Sequence, residues 1–484
     1  MNNDLILGLD VGSSSVRAAL FDHAGKMKPR SLVKVEESLV GESVIAEKVF
    51  ANVIAAIDGV FEKSSTLKGE ISHIASCAFW HSLVGVDARG KPTTEVFPWA
   101  DTRSREYTAK LCAKFDEGEA HNRTGARFHS SFWPAKLLWL RNAKLKDWER
   151  TARWLSLSDF VQLQLCGCDS TSISMASATG LFDQRKIDWD NALLRHLKIR
   201  KTQLPQLANG TLRLVRQFTK RWPRLKDAKW LPSIGDGAAN NIGSVCITKS
   251  RASLMVGTSG AIRVAYKGPP PRKLPPGLWC YRVDEERVIV GGALSDGGGL
   301  YALLKKNLNV ELSDEKIGEE ISGRGADAHG LTVMPFFFGE RSTGYHENAT
   351  GSIIGLNASH DSIDILQAAM EGVAFRFAQI PDHLEKIAQI DEIVVSGGAI
   401  EASPVWTQII ADVLGRDLLV SSDPEASLRG AVLLALESLG KIESIESFPV
   451  STSRLEFHPK CHEIYKKAGN RHVFAYETLF SAQI

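Results

Sequence analysis

The chain lacks the two commonest phosphate-gripping signatures. It has no G-x-x-x-x-G-K-S/T segment, and no G-x-G-x-x-G opens a helical pattern, which argues against a P-loop and against a dinucleotide-binding crossover. No apolar run approaches the roughly 18–20 residues that a membrane helix requires. An excess of one charge is also missing: the net charge is +2 with 24% charged residues, so neither a nucleic-acid footprint nor an acidic tail is indicated. Cysteine is sparse and scattered. Of seven, the only close pair is Cys166-Gly-Cys168, the wrong spacing for a zinc knuckle or a redox motif. The opening Met-Asn-Asn-Asp carries no leader pattern, so the expectation is a cytoplasmic protein with reduced thiols and no membrane or nucleic-acid partner.

What is present is a motif that occurs twice. Leu7 to Leu20 reads as an apolar strand, a Gly/Ser turn and a second strand, and Leu254 to Ala265 repeats it with one residue added in the turn. Gly12 then matches Gly257, Ser13 matches Thr258, and Arg17 matches Arg263. Turns of this kind offer backbone N–H groups and hydroxyls to phosphate oxygens. Asp10 of the first copy corresponds to Met255 of the second, so only one turn carries a carboxylate that can face a metal ion. A single Asp suffices for Mg²⁺, which keeps most of its waters.

At 484 residues the chain is too long for one core, and two domains are expected, with a boundary near 246/247. Strand patterns at Leu5–Asp10, Val16–Phe21, Ile71–Phe79 and Leu83–Val86 surround a helical pattern at Glu47–Lys63. Residues 103–200 read as mostly helical. The second half repeats the style, with strands at Val288–Ala293 and Ile393–Val395 and helices at Ile363–Ala388, Val405–Leu414 and, as the last clear one, Leu428–Leu439. Gly268 to Gly277, rich in proline, is a surface loop. Alternating strands and helices in both halves give an α/β architecture.

Taken together, Leu7–Asp22, Val256-Gly-Thr-Ser-Gly260 and Ser396-Gly-Gly-Ala399 resemble the two phosphate motifs and the adenosine motif of the actin, hexokinase and heat-shock chaperone superfamily. Within it the chain is similar end to end to the FGGY carbohydrate kinases. That resemblance implies two ribonuclease H-like domains with a central cleft, residues 1–246 for sugar and catalytic base, and 247–484 for nucleotide. It implies ATP and Mg²⁺, with a small-molecule sugar or sugar acid as substrate; a homodimer stays open. Asp236, in Gly235-Asp-Gly-Ala-Ala-Asn-Asn-Ile-Gly243, resembles the family's catalytic base. Without the resemblance an Asp there reads as a helix cap.

By the same resemblance Asp10 faces the metal, and Gly12, Ser13, Ser14, Arg17, Gly257 and Thr258 face the phosphates. Gly292 and Asp296 flank the nucleotide, while Gly397, Gly398 and Ser403 approach the adenosine. His81 matches a histidine of the xylulose and gluconate branches. Asp101 and Arg103, in Trp99-Ala-Asp-Thr-Arg103, either bind polyol hydroxyls or pair with one another and brace the loop. Thr124 to His129 with Lys136 is a weaker candidate for the same cleft, and Arg429 is assigned to helix packing. Trp279-Cys-Tyr281, Gly291–Ser295, Pro335–Ser342 and the phrase around Asp236 look most like gluconate kinases; Asp296 and Tyr345–Asn348 depart from them. A gluconate carboxylate wants a cation, for which Arg103, Arg127, Lys136 and His81 are the candidates. The resulting expectation is phosphorylation of D-gluconate at its 6-OH, with a ketose or polyol kinase as the alternative and a non-catalytic sugar sensor a distant third.

Overall fold

The structure, a computed structural model, describes residues 4–36, 44–208, 210–423 and 425–480. Residues 1–3, on which the absence of a leader was read, lie outside the described residues. Two seven-stranded sheets are built on one plan. In the first, the strand Leu5–Val11 runs antiparallel to Ser15–Phe21 and parallel to Ile71–Ala78. In the second, Arg251–Val256 runs antiparallel to Gly260–Lys267 and parallel to Glu392–Ser396. Both central strands are sandwiched, so they read as nearly continuous apolar runs instead of alternating ones.

The register corrects one reading of the repeat. Val11 pairs with Val16, leaving Gly12–Ser15 as the first turn, whereas Val256 pairs with Gly260, leaving only Gly257–Ser259. The second turn is thus shorter, not longer. Asp10 opposite Arg17 corresponds to Met255 opposite Ala261, and Arg263 lies two positions further on, opposite Ser253. Matching the arginines by identity forced the false insertion. Because side chains alternate along a strand, a shift of two keeps Arg263 on the face it would have shared with Ala261.

The helix Asp236–Gly243 closes the first half, and the strand Arg251–Val256 opens the second sheet. Late in the chain, the helix Ala426–Ser438 returns to the first sheet, placing Leu428, Val432, Leu433 and Leu436 in its core. It crosses the Asp236 helix at two glycines: a β-carbon on Gly430 would overlap the Ala239 carbonyl, and one on Gly243 the Ala426 carbonyl. This backbone-to-backbone crossing holds the two halves together beneath the cleft.

Residues 80–207 add an α-rich cap with its own core around Trp133, Leu137, Trp154, Phe182 and Leu193, in line with the helical reading of 103–200. The long helix of the second half spans Ser362–Leu384. A further helix, Pro459–Phe480, extends beyond the last one read from sequence. All seven cysteines are free thiols, and no helix among the described residues is long and apolar enough to cross a membrane.

Candidate active site

Both hairpin turns open onto one cavity of about 780 Å³ between the halves. Its lining includes Asp10, Gly12, Ser13, Ser14 and Arg17 from the first hairpin, with His81 and Asp236 from the first half. From the second half come Gly257, Thr258, Gly397, Gly398 and Ser403. Twelve residues proposed from sequence therefore meet in one place. Each turn is pinned: the Gly12 amide donates to the Ser15 carbonyl at 3.0 Å, and the Gly257 amide to the Ser259 carbonyl at 2.9 Å. The second turn is also buttressed from behind, where the Gly298 and Gly299 amides donate to the carbonyls of Gly257 and Thr258. Gly397 has φ +110°, and a β-carbon there would overlap the Val256 carbonyl, so only glycine lets this segment pass the hairpin. Ser403 caps the helix Pro404–Leu414, its Oγ accepting from the Trp406 amide at 3.4 Å.

Two carboxylates share the cavity. Asp10 is buried; its Oδ1 has no hydrogen-bond partner, and burial raises its pKa against the opposing pull of Arg17. Arg17 is shared between Glu425 at 2.6 Å and Asp10 at 3.8 Å. Asp236 is the first residue of its helix and follows Gly235, which occupies the cap position, so it is not the capping Asp that its sequence setting allows. Its Oδ1 accepts from the Gly237 amide at 2.7 Å. Burial, reinforced by the nearby Asp10 charge and opposed by Arg263, pushes the Asp236 pKa up to about 6. A carboxylate so tuned is poised to take a proton near neutrality.

The opposite wall is aromatic. Trp279 and Tyr281 stack at 4.4 Å with an 8° interplanar angle, and Trp80 meets both edge-on. His81, at φ 69°, packs against Phe132 and Tyr281. Its Nδ1 lies 2.7 Å from the Ala178 carbonyl, which only accepts, so Nδ1 carries the hydrogen and Nε2 keeps its lone pair. Burial holds its pKa down to about 3, so the ring is neutral.

The cavity also holds two guanidiniums that the sequence reading did not assign to it, Arg263 and Arg341. Arg263 is buried and Arg341 partly so, and desolvation lowers both pKa values, that of Arg263 to about 10. Arg263 could have been found from the alternation of its strand. Arg341 lies in a loop, where sequence gives no direction for its side chain.

Other proposed residues lie elsewhere. Asp101 and Arg103 do not line the cavity; they pair with each other, Arg103 Nη2 donating to Asp101 Oδ2 at 2.5 Å and Nη1 to Glu95 at 2.7 Å. The guanidinium lies over the rings of Phe97 and Trp139, so of the two roles left open by sequence the structure displays the bracing one. Gly292 sits mid-strand against the helix Ser362–Leu384, where a β-carbon would come within 2.8 Å of Ile380. Asp296 is buried behind the lining with its pKa pushed up to about 8. Arg127 pairs with Glu117, and Lys136 donates to the Ser131 carbonyl at 2.7 Å; neither reaches the cavity. Arg429 bonds the Gly243 carbonyl at 3.0 Å and Asp423 at 2.6 Å, at the helix crossing.

Residues 5–217 match the model of the N-terminal domain of the FGGY family of carbohydrate kinases, and residues 252–439 that of its C-terminal domain. The chain is 26% identical to a gluconokinase of Bacillus subtilis (strain 168), covering 91% of this chain and 89% of that one. It is 24% identical to a xylulose kinase of Lactococcus lactis subsp. lactis (strain IL1403), with the same coverage. Solved structures of a gluconate kinase and of a ligand-bound xylulose kinase, both from Lactobacillus acidophilus, superpose with TM-score 0.88 at 24% identity. Each alignment covers 98% of both chains. With both family models matched in order along a two-sheet fold, this chain belongs to the FGGY family of carbohydrate kinases.

Proposed function

We propose that the protein transfers the terminal phosphoryl group of ATP to a primary hydroxyl of a sugar acid, D-gluconate at its 6-OH. In this reading residues 1–246 hold the sugar and residues 247–484 the nucleotide. The observation that carries it is the meeting of Asp236, tuned to about 6, with Asp10 and both hairpin turns in one cavity. Phosphoryl transfer asks a protein mainly for positioning and charge neutralisation, with a carboxylate to orient the alcohol and accept its proton. Asp236 fills that role. The turns at Gly12–Ser14 and Gly257–Thr258 grip the phosphates, and Gly397, Gly398 and Ser403 bound the adenosine.

Asp10 fits a magnesium ion: it is the one carboxylate at a phosphate-facing turn, and its buried Oδ1 is unpartnered. When bound, the ion neutralises phosphate charge. Neutral His81 offers an acceptor to a sugar hydroxyl, and the Trp80, Trp279 and Tyr281 rings cover the apolar faces of the carbon chain. The protein works in the cytoplasm.

ADP release against gluconate, xylulose, ribulose, glycerol and fuculose tests the reading. A clear preference for gluconate is expected, and a strong preference for a neutral sugar refutes the sugar-acid assignment while leaving the kinase. A neutral ketose such as D-xylulose is the second reading, favoured by the aromatic wall and the uncharged His81.

A further inference from the structure

A sugar acid differs from a ketose or polyol by one carboxylate, so a site that selects it needs a cation free to pair with it. Four lysine or arginine side chains line the cavity: Arg17, Lys34, Arg263 and Arg341. Arg17 is committed to Glu425, and Lys34 to Glu36 at 2.9 Å. Arg263 and Arg341 have no acidic ion-pair partner among the described residues, and the Nε of each is buried without a hydrogen-bond acceptor. A buried cation left unpaired is costly, so in an enzyme it marks where a ligand anion or a reacting group belongs.

The two are placed differently. Arg263 abuts the first turn of the Asp236 helix: its Nη2 donates to Asn240 Oδ1 at 3.2 Å, and a β-carbon on Gly237 would overlap its Nη1. Of the cations acting on Asp236 it is the stronger. Arg341 belongs to another part of the lining, its guanidinium 4.3 Å from the centroid of Trp99. Its single hydrogen bond among the described residues runs from Nη2 to the Leu294 carbonyl at 2.6 Å. It acts more weakly on Asp236 than Arg263 does, and it also acts on His81, at the sugar wall. The hydroxyl to be phosphorylated sits at Asp236, and an aldonic acid carries its carboxylate at the other end of the carbon chain. The cation that meets that carboxylate is therefore the one not packed on the base.

We propose that Arg341 binds the substrate carboxylate and is the residue that selects an aldonic acid over a neutral sugar, a proposal that rests on the sugar-acid reading above. Arg263 is then a positioning residue that keeps Asp236 ionised. Trp99 shields one face of the Arg341 guanidinium from water, which strengthens a charge-assisted pair. None of Arg103, Arg127 and Lys136 competes, since none lines the cavity.

The test measures KM and kcat for D-gluconate and D-xylulose in the wild type and in Arg341→Gln, Arg341→Lys and Arg263→Gln, with ATP affinity as the check that each variant is folded. Arg341→Gln is expected to raise KM for gluconate roughly a hundredfold while leaving KM for xylulose within a few-fold, and Arg341→Lys to recover part of the loss. Arg263→Gln is expected to lower kcat for both sugars alike. Equal losses on both sugars in Arg341→Gln, or an unchanged gluconate KM, overturn the proposal. So does a gluconate-selective KM defect in Arg263→Gln, which would move the carboxylate to that residue. A wild type that prefers xylulose fails earlier and separately: it removes the sugar-acid reading, and this assignment falls with it.

Discussion

The two hairpins share a scaffold and differ in chemistry. Each is a central strand, a tight turn and an antiparallel return, flanked by a parallel strand on the other side. The first ends in Asp10 and a four-residue turn, the second in Met255 and a three-residue turn. One half therefore brings two carboxylates to the cavity, Asp10 and Asp236, while the other brings amides, a hydroxyl and the glycines of Ser396–Ala399. In the proposed reading this difference makes the site directional: a triphosphate bridging the two turns would meet Asp236 from one side only.

That asymmetry can be broken at its strongest point first. Asp236→Asn is expected to lower kcat by about 10²–10⁴-fold while ATP still binds, read from steady-state kinetics and nucleotide titration. The same substitution is expected to stabilise the fold at pH 7. A carboxyl raised to about 6 in the native state makes folding costlier above pH 6 than below pH 4. The Asn variant therefore gains about 1–3 kcal/mol in thermal unfolding near neutrality and nothing at pH 4. Next, Asp10→Asn is expected to cost about 10²-fold in turnover at limiting Mg²⁺ and less at saturating Mg²⁺, whereas Met255→Asp in that variant restores nothing. If the second-hairpin carboxylate did rescue, the two turns would be interchangeable and the comparison would fail.

A smaller effect sharpens the pH argument. With Asp236 as the proposed base, which must be ionised to work, kcat is expected to fall as pH drops through about 6, and Arg263→Gln to move that limb upward by removing the charge that favours the carboxylate. Smallest of all, Arg103→Ala is expected to change KM for the sugar less than threefold but to lower stability by about 1–2 kcal/mol. Its guanidinium braces Asp101 and Glu95 over Phe97 and Trp139 instead of lining the cavity. A tenfold KM defect would return Asp101 and Arg103 to the sugar.

The parts of the site legible in sequence are those fixed by local backbone rules. Asp10, the Gly12 and Gly257 turns, Gly397 and the Gly235–Gly243 segment are each set by a strand end, a tight turn or a helix start within a few neighbours. The aromatic wall is only partly legible in sequence, because it is assembled across the chain: Trp80 meets Tyr281, and Arg341 lies over Trp99. An ion pair such as Asp101–Arg103 looks the same in sequence whether it faces a cavity or packs on rings. The helix Pro459–Phe480 is hard to read from sequence because its buried stripe is Tyr465, Ala468, His472 and Phe480, a weakly apolar face at helical spacing. The register of the second hairpin is not legible for a different reason: Arg17 and Arg263 invite alignment by identity, whereas strand pairing places Arg263 two positions further along.

The most direct measurement is a crystal structure with a non-hydrolysable ATP analogue, Mg²⁺ and gluconate. The account predicts the β- and γ-phosphates between the Gly12–Ser14 and Gly257–Thr258 turns, with the sugar 6-OH within hydrogen-bond reach of Asp236. Phosphates bound outside that inter-turn gap, or a 6-OH that does not approach Asp236, would contradict it.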